Sequence, residues 1–263
     1  MKVKQKRNPR KRVSQYWRCR HTTQWSGFAL VFILITGINP AYGANASNPL
    51  AAINSTDIRL QYLDLDGADL YDLFVDGAYM LTPKLKLKYD LHYWKTDVTG
   101  SRESDWESLH LKPIYFPEKW VGKFGTWKYK TAVGAELIVD AGNEDLGIGS
   151  GSDQIAPLFC VSMVRDATVL VPLVQHFVEY SGPAVNTTAF RLIAIQSLAN
   201  DKWGKLDAIV PVDWENDTVP ATVEAQLGKM FSESFGTYVD GLVGIGDDRP
   251  YDWGVGVGAR FNY

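Results

Sequence analysis

The chain has 263 residues, of which 46% are hydrophobic, 13% aromatic and 22% charged, and these proportions exclude a disordered, collagen-like or disulfide-rich protein. A mean hydropathy of −0.15 excludes several membrane-spanning helices, each of which would need about 20 apolar residues. Residues 1–43 hold nine of the 27 Lys and Arg residues and no acid, which leaves 18 bases and 30 acids, a net charge of −12, in the remainder. That acidic remainder argues against a nucleic-acid partner.

The N-terminal region is predicted to be an export signal. A basic stretch ends at Arg20, and an apolar run follows over residues 28–38. Basic, apolar and small residues in this order are typical of a cleaved secretory signal peptide, whereas a run this short disfavours a membrane anchor. We therefore expect a signal peptide over residues 1–43, cleaved after Gly43 or after Ala46. The long basic stretch leaves the true start codon open.

From residue 44 onward, apolar and polar residues alternate with a period of two, which predicts β-strands. Most predicted strands have the roughly 9–11 residues that a tilted strand needs to cross a bilayer. The expected fold is all-β: a short periplasmic segment over residues 44–56, then a single antiparallel transmembrane barrel over residues 57–263. An even strand number places both termini on the periplasmic side. The twelve predicted strands are 57–64, 72–81, 85–95, 105–115, 126–139, 153–164, 168–180, 187–198, 204–214, 219–230, 235–246 and 251–263.

The last predicted strand shows most clearly which side chains face inward. Over residues 251–263 every odd position is apolar or aromatic, and every even position is Gly, Asp, Arg or Asn. Charged side chains such as Asp252 and Arg260 are costly in lipid, so we expect the even positions to face the interior. The nearly all-apolar strands 153–164 and 168–180 leave their facing open.

Connections and aromatic residues support a membrane barrel. Short turns alternate with longer loops such as 140–152, although the connection 116–125 is long where a short turn is expected. Aromatic residues near both strand ends are expected to form the interfacial girdles of such a barrel. The tryptophans assigned to these girdles are Trp127 and Trp203 at periplasmic ends and Trp94, Trp106, Trp214 and Trp253 at external ends.

The C-terminus resembles a known class of proteins. The chain ends in Arg260-Phe261-Asn262-Tyr263, and in this it resembles Gram-negative outer-membrane β-barrel proteins, which typically end on an aromatic residue. Within that class, the glycine-rich segment 254–261 is similar to the last strand of transporter barrels of the meta-pathway phenol-degradation type. The resemblance implies export to the outer membrane, contact with its lipid, and recognition of Phe261 and Tyr263 by the barrel-assembly machinery.

Charged residues at the predicted inward positions define a candidate lumen. The interior of a twelve-stranded barrel lies between the packed core of eight strands and the open channel of sixteen, so a narrow pore is geometrically possible. A basic wall and an acidic wall are predicted, and the field between them would orient charged solutes. The lumen-lining candidates are Lys86, Lys88, Asp90, His92, Lys112, Lys128, Lys130, Glu136, Asp207, Asp213, Glu224, Asp240, Asp252 and Arg260.

The predicted function is a porin-like channel or transporter for small polar or charged solutes. One alternative is a closed barrel, in which the same charges pair across the lumen and external loops such as 140–152 bind a partner. The other is a lipid-modifying hydrolase. Ser108 and His110 share a face, but residues two apart on a strand are separated by about 7 Å, so no catalytic residue is assigned. No cofactor or metal is predicted, and Cys160 is expected to be a packed small residue.

Overall fold

The computed structural model describes residues 48–263, so the predicted signal peptide lies outside the described residues. This part of the chain contains thirteen antiparallel strands and a 3₁₀ helix, Glu144–Leu146. Within it no helix has the length and apolar character needed to span a membrane. The strands are β1 (Ser55–Asp64), β2 (Asp69–Thr82), β3 (Leu85–Thr96), β4 (Glu103–Tyr115), β5 (Val121–Phe124), β6 (Trp127–Asp140), β7 (Asp153–Arg165), β8 (Thr168–Ser181), β9 (Asn186–Ser197), β10 (Lys202–Asp213), β11 (Ala221–Met230), β12 (Phe235–Ile245) and β13 (Trp253–Asn262).

Two pairings close the sheet into a barrel. β1 pairs with β13, which aligns Ser55 with Asn262, and β4 pairs with β6, which aligns Leu109 with Val139. The other strands pair in chain order, so the predicted twelve-stranded antiparallel barrel is confirmed. β5 stands outside the closed ring because it pairs with the first residues of β6, whereas β4 pairs with the later ones. The long connection 116–125 therefore carries an additional short strand.

The predicted alternation of facing holds in β13. Val255 and Val257 are 51% and 56% exposed on the outside, whereas Gly254 and Gly256 are buried inside. Exposed apolar side chains continue around the barrel on the outer face of its other strands. Such an extended apolar exterior is typical of a barrel whose outer surface contacts lipid.

The two nearly all-apolar strands also alternate in facing. In β7, Ala156 and Leu158 are buried inside, whereas Ile155 and Phe159 are exposed outside. In β8, Val171 is fully buried inside. Both faces are apolar because the inner faces of these strands contribute to a hydrophobic core within the barrel. Side chains of these two strands alternate between the inside and the outside of the barrel, but both sets are apolar. The sequence alone therefore could not show which residues face inward.

The two ends of the barrel differ in their connections. We call the end where β1 begins and β13 ends the terminal end, and the opposite end the loop end. Turns at the terminal end are short apart from the β5 segment, and longer loops such as 141–152 and 246–252 lie at the loop end. In one terminal-end turn, Asn200 and Asp201 have φ angles of 59° and 58°, a left-handed conformation that these residue types tolerate and that suits a tight connection between strands.

Two of the tryptophans assigned to the girdles face inward instead. Trp203 is 3% exposed, and its Nε1 donates a hydrogen bond to Gln226 Oε1 at 3.0 Å. Trp94 aligns with the inward Asp72 of β2. The girdle prediction is wrong for these two residues because position along a strand sets only the end of the barrel, whereas parity sets the face. Exposed aromatic residues do surround both ends, including Trp106, Trp214 and Trp253 at the loop end and Phe235, Phe261 and Tyr263 at the terminal end.

Candidate channel lumen

The inward side chains enclose a cavity of about 340 Å³ inside the barrel. Every second residue of each strand points toward it, because successive side chains on a strand alternate between the two faces. Half of the predicted lumen residues line this cavity, namely Lys88, Asp90, His92, Lys112, Asp207, Glu224 and Arg260. Polar or charged lining residues that the prediction missed are Arg59, Gln61, Asp72, Asp76, Arg191 and Lys205.

Three further predicted residues are buried inside the barrel without lining the cavity. They are Lys86, Glu136 and Asp240. Asp240 accepts a hydrogen bond from Gln226 Nε2 at 2.9 Å, so it belongs to a buried polar cluster with Trp203. Lys86 donates hydrogen bonds to the backbone of the described N-terminal residues, and Glu136 pairs with His110 and Lys112.

The remaining four predicted residues lie toward the ends of the barrel. Lys128 is on the part of β6 that pairs with β5, and Lys130 Nζ lies 3.8 Å from the centre of the Phe116 ring. Asp213 accepts hydrogen bonds from the loop that follows β10. Asp252 forms an ion pair within the loop that precedes β13. These side chains shape the two mouths rather than the central cavity.

The predicted separation into a basic and an acidic wall is wrong. Arg191 forms a bidentate ion pair with Asp207, with Nε–Oδ1 and Nη2–Oδ2 distances of 2.8 and 2.6 Å. Lys205 Nζ lies 2.7 Å from Glu224 Oε1, and Arg59 Nη1 lies 3.3 Å from Glu224 Oε2. Bases from β1, β9 and β10 thus neutralise the acids of the later strands. A buried charge must be paired or hydrated, and this network satisfies that requirement for most of the lining.

A buried ion pair joins the first and last strands of the barrel. Arg260 Nε and Nη2 donate to Asp57 Oδ1 and Oδ2 at 2.9 and 2.6 Å, and both residues are at most 5% exposed. Tyr238 Oη also donates to Asp57 Oδ2 at 3.0 Å. The rings of Tyr238 and Trp203 lie 5.4 and 5.2 Å from the Arg260 guanidinium carbon. Arg260 is therefore a structural residue of the β1–β13 seam as well as a lining residue.

A chain of hydrogen bonds runs through His110. Ser108 Oγ lies 2.8 Å from His110 Nε2, and His110 Nδ1 lies 2.8 Å from Glu136 Oε1. Glu136 also accepts from Gln175 and pairs with Lys112 Nζ at 2.8 Å. The expectation that Ser108 and His110 are too far apart for contact is wrong, because the two side chains lean toward each other from the same face.

This chain has the residue types of a nucleophile, a base and an orienting acid. Ser108, however, is 2% exposed, lies outside the cavity lining and also hydrogen-bonds the carboxylate of Glu107. The contact therefore does not by itself provide a reactive site open to solutes.

One group of side chains inside the barrel has the composition of a metal site. Asp90, His110 and Glu136 each bring one ligand atom within 4.8 Å of the others. Both ring nitrogens of His110 already make hydrogen bonds, and Lys112 holds one oxygen of Glu136. A divalent ion would have to displace these contacts and tolerate the neighbouring ammonium group, so the existing hydrogen bonds account better for the cluster.

The described start of the chain enters the barrel at the terminal end. Leu50 is 4% exposed, and Lys86 Nζ donates to the carbonyls of Pro49 and Ala51 at 3.1 and 2.8 Å. The Leu50 N–H donates to Asn48 Oδ1 at 3.0 Å, which fixes a compact turn. Residues 48–53, which we call the N-terminal plug, therefore occupy part of the lumen, within the segment predicted as periplasmic. Leu50 packs in a cluster with Ile114, Phe116, Ala132, Leu158, Cys160, Val171, Ile193 and Ile195.

Loop 141–152, a candidate partner-binding element, folds back on the end of β6. Asp140 accepts hydrogen bonds from the backbone N–H groups of Gly142, Ser150 and Gly151 at 2.9, 2.5 and 2.7 Å. Ile148 is fully buried within the loop. These contacts with Asp140 order the loop, and Ser152 Oγ ties it to the next loop at the same end by donating to the Pro183 carbonyl at 2.7 Å.

Comparisons with known proteins identify the fold. No protein-family model matches the sequence, and neither does any curated protein. Among solved structures, the NanC porin has a TM-score of 0.57 at 9% identity, covering 78% of this chain and 98% of that one. An outer-membrane channel of Pseudomonas putida F1 has a TM-score of 0.57 at 9% identity, covering 86% and 100%. Outer membrane phospholipase A from Escherichia coli has a TM-score of 0.51 at 14% identity, covering 82% and 96%. The chain has the fold that these outer-membrane barrels share.

Proposed function

We propose that the protein is an outer-membrane channel for small polar or charged solutes. The observation that carries this proposal is a cavity lined by charged side chains, enclosed by a complete barrel whose exterior is apolar. An apolar exterior fits lipid, and a polar interior fits aqueous solutes. The similarity to porins and channels agrees with this assignment.

The proposal includes the location and orientation of the barrel. Export follows from the signal peptide, residues 1–43, and the terminal end then faces the periplasm. Phe261 and Tyr263 are exposed at that end, where the assembly machinery would recognise them. The N-terminal plug narrows the same end, so passage of solutes requires this segment to move.

Single-channel recording tests the proposed function. The refolded chain beginning at Ala44 is inserted into a planar bilayer, after heat-modifiable gel mobility has shown that it is folded. We expect conductance steps separated by closed periods, because the plug must leave before ions can pass. Folded barrels that stay silent, both as the full chain and with the plug displaced, would rule out the channel and favour the closed barrel.

Ion selectivity should respond to Lys88 more than to Lys128. Lys88 lines the central cavity, so Lys88→Glu should shift the reversal potential in a salt gradient toward cations. Lys128→Glu is the matched control, because Lys128 lies where β6 pairs with β5 and should change selectivity little. Equal shifts for the two variants would show that the cavity does not control permeation.

A further inference from the structure

Three charged residues of the cavity lining make no ion pair in the described part of the chain. Each of its other charged side chains makes an ion pair within residues 48–263, whereas Lys88, Asp76 and Asp90 make none. The three lie together, because β2 and β3 align Asp76 directly with Asp90, and Lys88 lies two residues before Asp90 on the same face. The unpaired part of the lining therefore carries one more negative charge than positive charge.

The arrangement of Asp76 and Asp90 is unfavourable without a cation. Like charges directly opposite each other on paired strands destabilise a sheet. The row continues to Asp57 on β1, but Arg260 already neutralises that residue. Asp76 Oδ1 is buried and has no hydrogen-bond partner within the described part of the chain. A buried carboxylate oxygen without a donor costs free energy. Arg59 and Lys88 act on the Asp76 charge, but neither forms an ion pair with it or donates a hydrogen bond to Oδ1.

Apolar residues form another part of the cavity lining. Ile114, Leu158 and Ile193 line it and are almost fully buried, and Leu173 adds to this surface. Phe74 lies beside Asp76 on the inner face of β2. The Phe74 ring is not free to bind a ligand cation, because the His92 ring stacks on it at 4.7 Å and the Arg59 guanidinium carbon lies 4.8 Å from its centre. The cavity thus offers a hydrocarbon surface in addition to the two carboxylates that make no ion pair.

We propose that the cavity binds small primary amines, with the ammonium group between Asp76 and Asp90 and the hydrocarbon part against Ile114, Leu158 and Ile193. An ammonium group supplies three hydrogen-bond donors and a positive charge, which the two carboxylates lack. A cavity of about 340 Å³ lies within the size range of small-molecule sites. This inference depends on the proposed function only in treating the bound amine as a permeating solute.

A primary ammonium fits this site better than a divalent metal ion. The imidazoles closest to the two carboxylates are engaged, since His92 Nδ1 pairs with Asp72 at 2.9 Å and both nitrogens of His110 make hydrogen bonds. Lys112, another lining residue, would repel a dication more strongly than a monovalent ammonium. Lys88 is the closest unpaired base on the same strand, so its ammonium group competes with the ligand for the carboxylates.

Calorimetric titration of the full folded chain in detergent at pH 8 tests the site. The probes are n-butylammonium, n-butanol as its neutral counterpart, and calcium and zinc ions. We expect saturable binding of n-butylammonium and none of n-butanol. Asp76→Asn and Asp90→Asn should each weaken binding about tenfold or more, since each removes a charge-assisted hydrogen bond. Lys88→Met should bind the amine at least as tightly as the unaltered chain.

Asp252→Asn is the matched control, because Asp252 is already paired with Arg249 outside the cavity, and it should leave binding unchanged. The proposal is overturned if n-butylammonium fails to bind both the unaltered chain and Lys88→Met, or binds Asp76→Asn and Asp90→Asn normally. Metal binding at these two residues without amine binding would also overturn it. Binding in detergent does not require conduction, so a silent channel that still binds the amine would contradict only the proposed function.

Discussion

Replacing either member of the Asp57–Arg260 pair should destabilise the barrel by about 3–5 kcal/mol, because the remaining charge stays buried without its ion-pair partner. Asp57→Asn removes the charge of the carboxylate that holds Arg260 through two hydrogen bonds, and Arg260→Met leaves the Asp57 carboxylate with the Tyr238 hydroxyl as its main donor. The loss should be large because this pair joins the only strands that are brought together from the two ends of the barrel domain. Urea titration of the refolded protein in detergent, followed by gel mobility, measures the change.

A double variant distinguishes the contribution of the ion pair to stability from the contribution of side-chain packing. Asp57→Asn with Arg260→Met removes both charges, so it should be less destabilised than the sum of the single variants. Lys84→Met is the control: Lys84 pairs with Glu118 at the exposed terminal end, where water screens the contact, and its loss should leave stability unchanged. Additive losses in the double variant would show that the two side chains contribute through packing rather than through the ion pair.

Much of the fold follows from local information in the sequence. Facing in a strand depends only on parity, so the alternation of Gly and Val over residues 254–258 indicates the outer surface without knowledge of distant residues. The turn residues between the strands place the strand bounds to within about three residues. β5 was not predicted because its four residues, 121–124, are too few to show an alternation of polar and apolar side chains that distinguishes a strand from a loop.

The candidate site was predictable only as a set of inward residues. Arg191 lies on β9 among apolar residues, and its partner Asp207 is across the β9–β10 pairing, so its role depends on register. Asp76 has the right parity to face inward, but only the complete set of ion pairs shows that it is unpaired. The sequence shows whether a charged side chain faces the lumen. Which opposite charge it meets there depends on the radius of the closed barrel and on the tilt of its strands.

The N-terminal plug has no signal in the alternation. Residues 48–53 precede the first strand, and nothing in their order indicates whether they enter the lumen or extend away from it. Their position depends on a socket built from five strands, β4 and β6 to β9, and on the amine of Lys86. Leu50 packs against inward apolar side chains of β7 and β8, and these are the residues that make both faces of the two strands apolar. One hydrophobic core within the lumen therefore explains why neither the facing of β7 and β8 nor the position of the plug could be predicted from the sequence.

Displacing the plug should produce the largest change in the time that the channel spends open. Leu50→Asp places a charge in an apolar socket, which costs more than the plug gains from its remaining contacts, so the segment should leave the lumen. Deletion of residues 44–53 should have the same effect without disturbing β1, which begins at Ser55. We expect both variants to show longer open periods and a severalfold higher time-averaged current in single-channel recordings, while the conductance of each open step matches that of the unaltered chain. Ala52→Asp is the matched control, because Ala52 is exposed and its neighbour Leu50 keeps its socket. If Leu50→Asp and the deletion conduct like the unaltered chain, the constriction lies in the strands themselves, at the apolar core formed by residues such as Ile114 and Ile193.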